Sequence, residues 1–528
     1  MDPRTLSRWR VTAVVAGAGL CVALFGYNVA AQDFLSDDSF ISFRYARNLV
    51  SGHGLTWNPG ERVEGYTNFA WVLLMAGALR AGIPVEVASR VLGVASGLGV
   101  LAAVVLLAAR WRPPWHPVVW IAPLTLATHR SFAAWSTSGL ETMFFTALVV
   151  GAVLAYSGES RRRSERPWLS AALLVAAGLT RPEGALFIAG LGACYLAEVA
   201  ARRRTAGGLV FWATCCALPL AAHVLWRHHY YGDWLPNTFH AKVDGWSWEK
   251  GAFHLMLFHR TYRIGWFLPL AVLGVVARRR RDLVVVSFVL TALYVTYVAA
   301  VGGDRFEFRF LVVVLPFLYL LVGEGIGWIA EWRAELPAAR RLGPALASVL
   351  ALALVSTTVW GGRHALVATK DRRDIEPLRL TRAYARDRIE DGTYLRRLID
   401  EGALPDDLTI CVGGAGALPY YTEWPTVDRR GLNDAWVARQ PARPRGAVGH
   451  LREAPYEYLV ARGVVVFDVF NDLVQSDPWK HLGKSRSFQG NPLRIRAVEL
   501  EEDRYLVFAS LVTDDELARV FPGRLILR

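Results

Sequence analysis

Eleven apolar runs, at or near the length that crosses a bilayer, punctuate this chain at 11–31, 87–109, 118–131, 140–156, 168–179, 185–200, 209–226, 264–277, 283–301, 310–329 and 344–360. A spanning helix needs about 20 apolar residues, so several of these are short. Composition agrees with a bilayer as the main solvent, since 53% of the 528 residues are hydrophobic and 12% are aromatic. In lipid each backbone segment must satisfy its own hydrogen bonds, and for continuous apolar runs that means helices. The sequence predicts a polytopic α-helical membrane protein. Its first run follows Arg4, Arg8 and Arg10 and ends in small residues, as a cleavable signal would. It is longer than the roughly 7–15 apolar residues of a signal core and reads as a retained first helix.

The formal charge of +13 would suit nucleic acid if the cations formed one surface, but they do not. The arginines sit in clusters between the apolar runs, as at Arg161-Arg162-Arg163, Arg202-Arg203-Arg204 and Arg278 through Arg281. That pattern marks cytoplasmic loops. One more apolar segment, 69–79, decides the sides. If it spanned, the clusters would alternate between faces. Lying against the outer leaflet, it leaves the N-terminus, Arg110 and Arg112, 161–166, 202–204, 278–281 and 333–341 all inside. The sequence thus divides into a membrane domain, 1–360, with a long external loop at 32–86, and an external segment, 361–528. The latter is charged and proline-containing, with strand-like runs at 408–412, 464–469 and 505–508, and predicts a soluble α/β domain. Cys21, Cys194, Cys215 and Cys216 lie in apolar segments and Cys411 stands alone outside them, which makes neither a disulfide framework nor a zinc spacing.

On this topology the polar motifs gather on the external side: SDDSFISFRYARNL and the loop after it up to Phe69, STSGLET, TRPEG, YYGDWLPNTFHAK and GGDRFEFR. Ionisable groups at a membrane edge are costly, so their convergence predicts one shared site. Asp37-Asp38 follows the first span. One carboxylate there suits a general base that takes a proton from a hydroxyl, with its neighbour orienting it or holding a divalent cation. Read alone, the pair is more simply a set of helix N-caps before Phe40, Ile41, Phe43 and Tyr45. Arg44 and Arg47, one turn apart, suit a phosphate held by guanidinium forks, against a plain headgroup contact.

The other candidates each have a structural reading beside the functional one. Glu64, Tyr66 and Asn68 follow the Asn58-Pro59-Gly60 turn and would pass for an ordinary loop. Glu141 opens a span, where an acid suits the helix dipole. Arg181 and Glu183 read as a local ion pair at a helix break, and Asp304, Arg305, Glu307 and Arg309 as a mutually paired collar. Asn237, His240 and Lys242 after Pro236 are less membrane-like, and a cation there would neutralise a leaving phosphate. Two motifs are set aside. Gly413-Gly414-Ala415-Gly416 follows a strand-like run but lacks dinucleotide-loop spacing, and His228-His229 lacks zinc-site spacing.

Taken in order, DDSFISFRYARNL, GHGLTWNPGERVEGYTNF, TSGLET, RPEG, GDWLPNTFHAK, GGDRFEFRFLVVVLP, AGALPYY and DRRGLND resemble membrane glycosyltransferases of the GT-C fold. Within these the chain looks most like the arabinofuranosyltransferase AftB type, whose relatives are also labelled flagellar motor control proteins of the ZomB type. The resemblance runs from about Ser36 to Asp434. It implies a GT-C transmembrane domain and a polyprenyl-phosphate-linked sugar donor, with arabinofuranose a candidate sugar and an envelope glycan the acceptor. It also implies an essential aspartate on the first external loop, the position of Asp37 and Asp38, with Asp38 as the base. From chemistry, Arg44, Arg181, His240, Lys242, Arg305 and Arg309 are candidates for the donor phosphate, and Glu64, Tyr66, Asn68, Glu141 and Asn237 for sugar hydroxyls. Asn433 and Asp434 are candidates for the acceptor, which the family's external domain is thought to help bind. A sugar phosphodiester carries its own leaving group, so no ATP is required. The expected location is the bacterial inner membrane, with the site and C-terminal domain outside. A non-catalytic factor for envelope or flagellar assembly is the alternative.

Overall fold

Each apolar run falls on a helix in the computed structural model, which describes residues 3–243, 245–277, 282–332, 339–364, 375–443 and 451–526. Among the described residues, seven helices are long and apolar enough to cross a membrane: Arg8–Gln32, Val85–Ala108, Thr142–Arg161, Ala206–Tyr231, Asp282–Ala300, Arg309–Glu331 and Leu342–Gly362. The shorter Pro117–Thr128, Trp168–Thr180, Gly184–Ala200 and Ile264–Ala277 carry the other runs, and Phe69–Arg80 carries the segment read as lying on the leaflet. The chain is a polytopic helical membrane protein with a sheet-containing C-terminal part. The arginine cluster 278–281 and much of 333–341 lie outside the described residues.

The chain forms two compact units. The first comprises Met1–Phe34, Glu86–Leu225 and Gly245–Pro377. At its centre is the Arg309–Glu331 segment, 94% buried over its most apolar window, whereas the first helix is only 11% buried and leaves its apolar side chains for a surrounding solvent such as lipid. Close approach here depends on small residues: a Cβ on Gly325 would run into the carbonyl oxygen of Leu270 on the adjacent Leu268–Ala277 helix. Arg112, buried, pairs with Glu324 and, at 2.7 Å, with Glu331, fastening the end of the central helix.

The second unit comprises Leu35–Val85, Trp226–Asp244 and Leu378–Arg528, so the loop after the first helix folds with the C-terminal segment. Its sheet is built from β1 (Ile410–Val412), β2 (Thr426–Asp428), β3 (Val466–Phe467), β4 (Val474–Gln475), β5 (Arg486–Phe488), β6 (Asn491–Glu501), β7 (Arg504–Ser510) and β8 (Leu525–Ile526). The strand order is β2-β1-β3-β7-β6-β5, with β4 on β7 and β8 on β6. β1 runs parallel to β2 and β3, while β6 and β7 form an antiparallel hairpin. All three strand-like runs of the sequence lie on strands, because each is a short apolar stretch between turn residues. Cys411, Val427, Phe467 and Val507 meet in the core, and Cys411 is a free thiol. The amphipathic helix Leu378–Asp400 buries Ala385, Arg388, Gly392 and Leu395, with Arg388 paired to Asp391 at 2.7 Å and Asp468 at 3.1 Å.

Candidate active site

The Ser39–Val50 helix begins directly after the two aspartates. Asp38 occupies the N-cap position with no side-chain capping hydrogen bond. The turn is instead closed by the backbone, Ser39 N–H to Ser36 O and Phe40 N–H to Asp37 O, both 3.0 Å, and by the Ser39 hydroxyl donating to Ser36 O at 2.7 Å. Capping therefore does not account for a carboxylate at position 38. Asp37 is buried, and its Oδ1 accepts from the backbone N–H of Ala417 at 2.8 Å. Ala417 starts the helix Ala417–Thr422 just after the glycine run 413–416. A Cβ on Gly416 would meet the Asp37 backbone and approach its Cγ to 2.5 Å. The glycines set aside as a dinucleotide motif thus form the bed on which an internal carboxylate rests. Asp38 is half-buried beside it.

Arg44 turns out to be a fastener. Its guanidinium donates to Trp57 O and Pro419 O, both at 2.8 Å, to Trp424 O at 3.0 Å and to Asn58 Oδ1 at 3.2 Å. Burial, with Arg47 nearby, holds its pKa down to about 9. Backbone carbonyls thus receive most of the donors of Arg44, the residue offered above to the donor phosphate. Arg47 does similar work, donating to Tyr420 O at 2.6 Å and pairing with Glu423 at 2.7 Å.

Glu64 accepts from Arg227 Nε at 2.7 Å, and its backbone oxygen receives the N–H of Asn237 at 3.1 Å. Burial pushes the Glu64 carboxyl up to about 7, with Arg227 opposing the shift. The hydroxyls of Tyr66 and Tyr231 lie 3.1 Å apart, and Asn68 donates to Ser42 Oγ at 2.9 Å. Asn237 donates to Gly431 O at 2.8 Å and Leu432 O at 2.9 Å. Asn433 donates twice to Asp428 Oδ2, at 3.0 and 3.1 Å. Asp434 caps a turn, accepting from the N–H groups of Trp436 at 3.0 Å and Val437 at 2.9 Å, and from the Tyr458 hydroxyl at 2.8 Å. Glu64 and Tyr66 thus tie the loop after the first helix to the stretch around Arg227 and Tyr231, Asn237 ties that stretch to the C-terminal segment, and Asn433 and Asp434 hold turns within the latter. On the Asn237–Lys242 helix, His240 meets Asp233 at 3.2 Å, and Lys242 is exposed.

In the first unit the candidate residues Glu141, Arg181, Glu183, Asp304 and Arg309 are mutually paired. Arg181 bridges Glu141 at 2.8 Å and Glu183 at 2.9 Å, all three buried. Arg309 forks onto Asp304 at 2.7 and 3.3 Å, and both arginines flank the Phe310 ring. Glu307 is fully buried near Arg130 at 3.5 Å. Arg305, partly exposed, pairs with Glu376 at 3.7 Å and lies over the face of Phe306. Among the described residues no group of three or more His, Cys, Asp or Glu is arranged to hold a metal ion. Asp37 and Asp38 alone supply fewer oxygens than a hard divalent cation takes.

Sequence reasoning missed Arg227 and Arg439. Arg227 had a signal: an arginine closing the run 209–226 on the face expected to be arginine-poor. Arg439, which pairs with Asp233, had none.

The fold is the GT-C fold of membrane glycosyltransferases. It matches ArnT from Cupriavidus metallidurans, crystallised with undecaprenyl phosphate, with a TM-score of 0.55 at 14% identity over 95% of this chain and 98% of that one. In sequence the chain is similar to the terminal beta-(1->2)-arabinofuranosyltransferase of Mycobacterium tuberculosis, 32% identical over 300 residues, 52% of this chain and 45% of that protein. The enzyme of the same name from Corynebacterium glutamicum is 29% identical over 353 residues, 58% of this chain and 50% of that protein. The chain thus spans about half the length of the curated relatives it matches. Residues 382–508 match a family model described as a domain of unknown function, DUF8728.

Proposed function

We propose that this protein is a glycosyltransferase that moves a sugar, arabinofuranose by analogy with its relatives, from a polyprenyl phosphate to an envelope glycan at the external face of the bacterial inner membrane. The observation that carries the reading is the state of the aspartate pair. Asp37 is buried and anchored by the Ala417 N–H, while Asp38, half-buried beside it, is not used as a helix cap. The similarity to two arabinofuranosyltransferases and the shared fold with an undecaprenyl-phosphate-binding protein support the substrate class.

In this reading Asp38 accepts the proton of the acceptor hydroxyl as that oxygen bonds to the anomeric carbon. The anomeric carbon–oxygen bond to phosphate breaks, and the polyprenyl phosphate departs with the electron pair. Asp37 orients its neighbour. His240 and Lys242 are the second unit's candidates for the departing charge, since Arg44 is already engaged. Purified full-length protein incubated with radiolabelled polyprenyl-phosphoryl arabinofuranose and an arabinan acceptor should transfer label, and Asp38→Asn should not. Transfer by Asp38→Asn at the wild-type rate would remove the base. Absence of transfer by wild type with any polyprenyl-phosphate sugar would favour the assembly-factor alternative.

A further inference from the structure

The helices of the first unit that carry Glu141 and Arg181 at one end carry a second polar site at the other. Thr142–Arg161 is 20 residues long, which places its two ends about 30 Å apart, the thickness of a hydrocarbon core. At the far end a cavity of about 280 Å³ opens among Arg110, Ser157, Ser160 and Arg161, with Glu198 and Asp282 also in its wall. Both acids are already neutralised, Glu198 by Arg204 at 2.6 Å and Asp282 by Arg203 at 2.6 Å. Arg110 and Arg161 have no acidic partner among the described residues. They are held together by Arg161 Nη2 donating to the Arg110 carbonyl at 3.1 Å. Two uncompensated guanidinium groups and the Ser157 hydroxyl therefore line one small polar space, in which the Ser160 hydroxyl donates to Glu198 Oε2 at 3.1 Å. The Arg110 pKa is held down by burial and by Arg161 and Arg162, which fits cations gathered without an anion between them. Several helices present C-terminal carbonyls here, so an anion would be held by the arginines and not by helix dipoles.

We propose that this cavity is an anion site that takes a phosphate group, supplied either by an anionic lipid headgroup of the adjoining leaflet or as free phosphate. Guanidinium forks and hydroxyls match phosphate oxygens, and basic pockets between membrane helices are a recurrent setting for such headgroups. The site is separate from the transferase reading and does not depend on it.

The test uses full-length protein purified in detergent with phosphatidylglycerol and phosphatidylcholine in equal amounts, with retained lipid read by native mass spectrometry. Wild type should retain phosphatidylglycerol, and Arg110→Gln/Arg161→Gln should retain about thirtyfold less, two guanidinium contacts having been lost. Arg163→Gln/Arg166→Gln removes the same charge at exposed positions outside the cavity and should retain lipid as wild type does. Ser157→Leu fills the space without changing charge and should lose the lipid as well. Single Arg161→Gln, at an exposed position, covers the case in which the double variant does not fold. Inorganic phosphate that displaces the lipid, or binds wild type alone and not the variants, assigns the site to free phosphate; failure to displace assigns it to the headgroup. Equal retention in wild type and cavity variants with no phosphate binding, or equal loss in the Arg163/Arg166 control, overturns the proposal.

Discussion

The Oδ1 of Asp37 accepts the backbone N–H of Ala417 at 2.8 Å across 380 positions of sequence. This bond joins the loop that opens the second unit to the glycine turn after β1, and it holds the aspartate pair in place. Gly416 permits it, since any Cβ there would displace Asp37. Removing the two carboxylates should therefore have different consequences. Asp38→Asn is expected to lower the transfer rate by about 10²–10⁴-fold with an unchanged melting temperature. Asp37→Ala strands a buried N–H and should also cost roughly 1–3 kcal/mol of stability. Thermal unfolding beside a transfer assay on both variants checks this, and the opposite pattern would exchange their roles.

Arg44→Lys tests the fastener. A lysine cannot reproduce a planar fork onto Trp57, Pro419 and Trp424 carbonyls. We expect roughly 2–4 kcal/mol of destabilisation, seen as a lower melting temperature, with an unchanged KM for the lipid donor in the folded fraction. A raised donor KM at wild-type stability would return Arg44 to the phosphate site.

The buried Glu64 carboxyl makes stability depend on pH. Its folded pKa, about 7, lies above the unfolded value of 4.5, so between these the native state binds more protons than the unfolded one. Stability from this group is greatest below pH 4.5 and is lost as pH rises through about 7. Melting temperatures of wild type and Glu64→Gln measured across that interval should converge or cross, with wild type losing several degrees relative to the variant. Parallel curves would show that Arg227 keeps Glu64 charged throughout.

Arg181 sits between two buried carboxylates. Arg181→Met leaves both without their cation and should cost about 3–5 kcal/mol. Adding Glu141→Gln and Glu183→Gln should restore much of the lost melting temperature. If Arg181→Lys instead keeps stability but raises the donor KM, the cluster contacts phosphate as well as itself.

Hydropathy is a local property, and what depends on it was legible in the amino-acid order: the eleven helical runs, the short apolar helix Phe69–Arg80, the strands at 410–412, 466–467 and 504–510, and the aspartates at the head of Ser39–Val50. The roles of polar side chains were not legible, because a role is set by partners that sequence spacing does not announce. Arg44 reads as a phosphate ligand until Pro419 and Trp424 reach it, and Glu64 as a loop acid until Arg227, 163 positions away, closes on it. Gly413 to Gly416 read as a failed nucleotide loop until Asp37 lies against them. A buried hydrogen bond has no periodicity, so only the tertiary structure decided which charged groups are spent on holding the chain together.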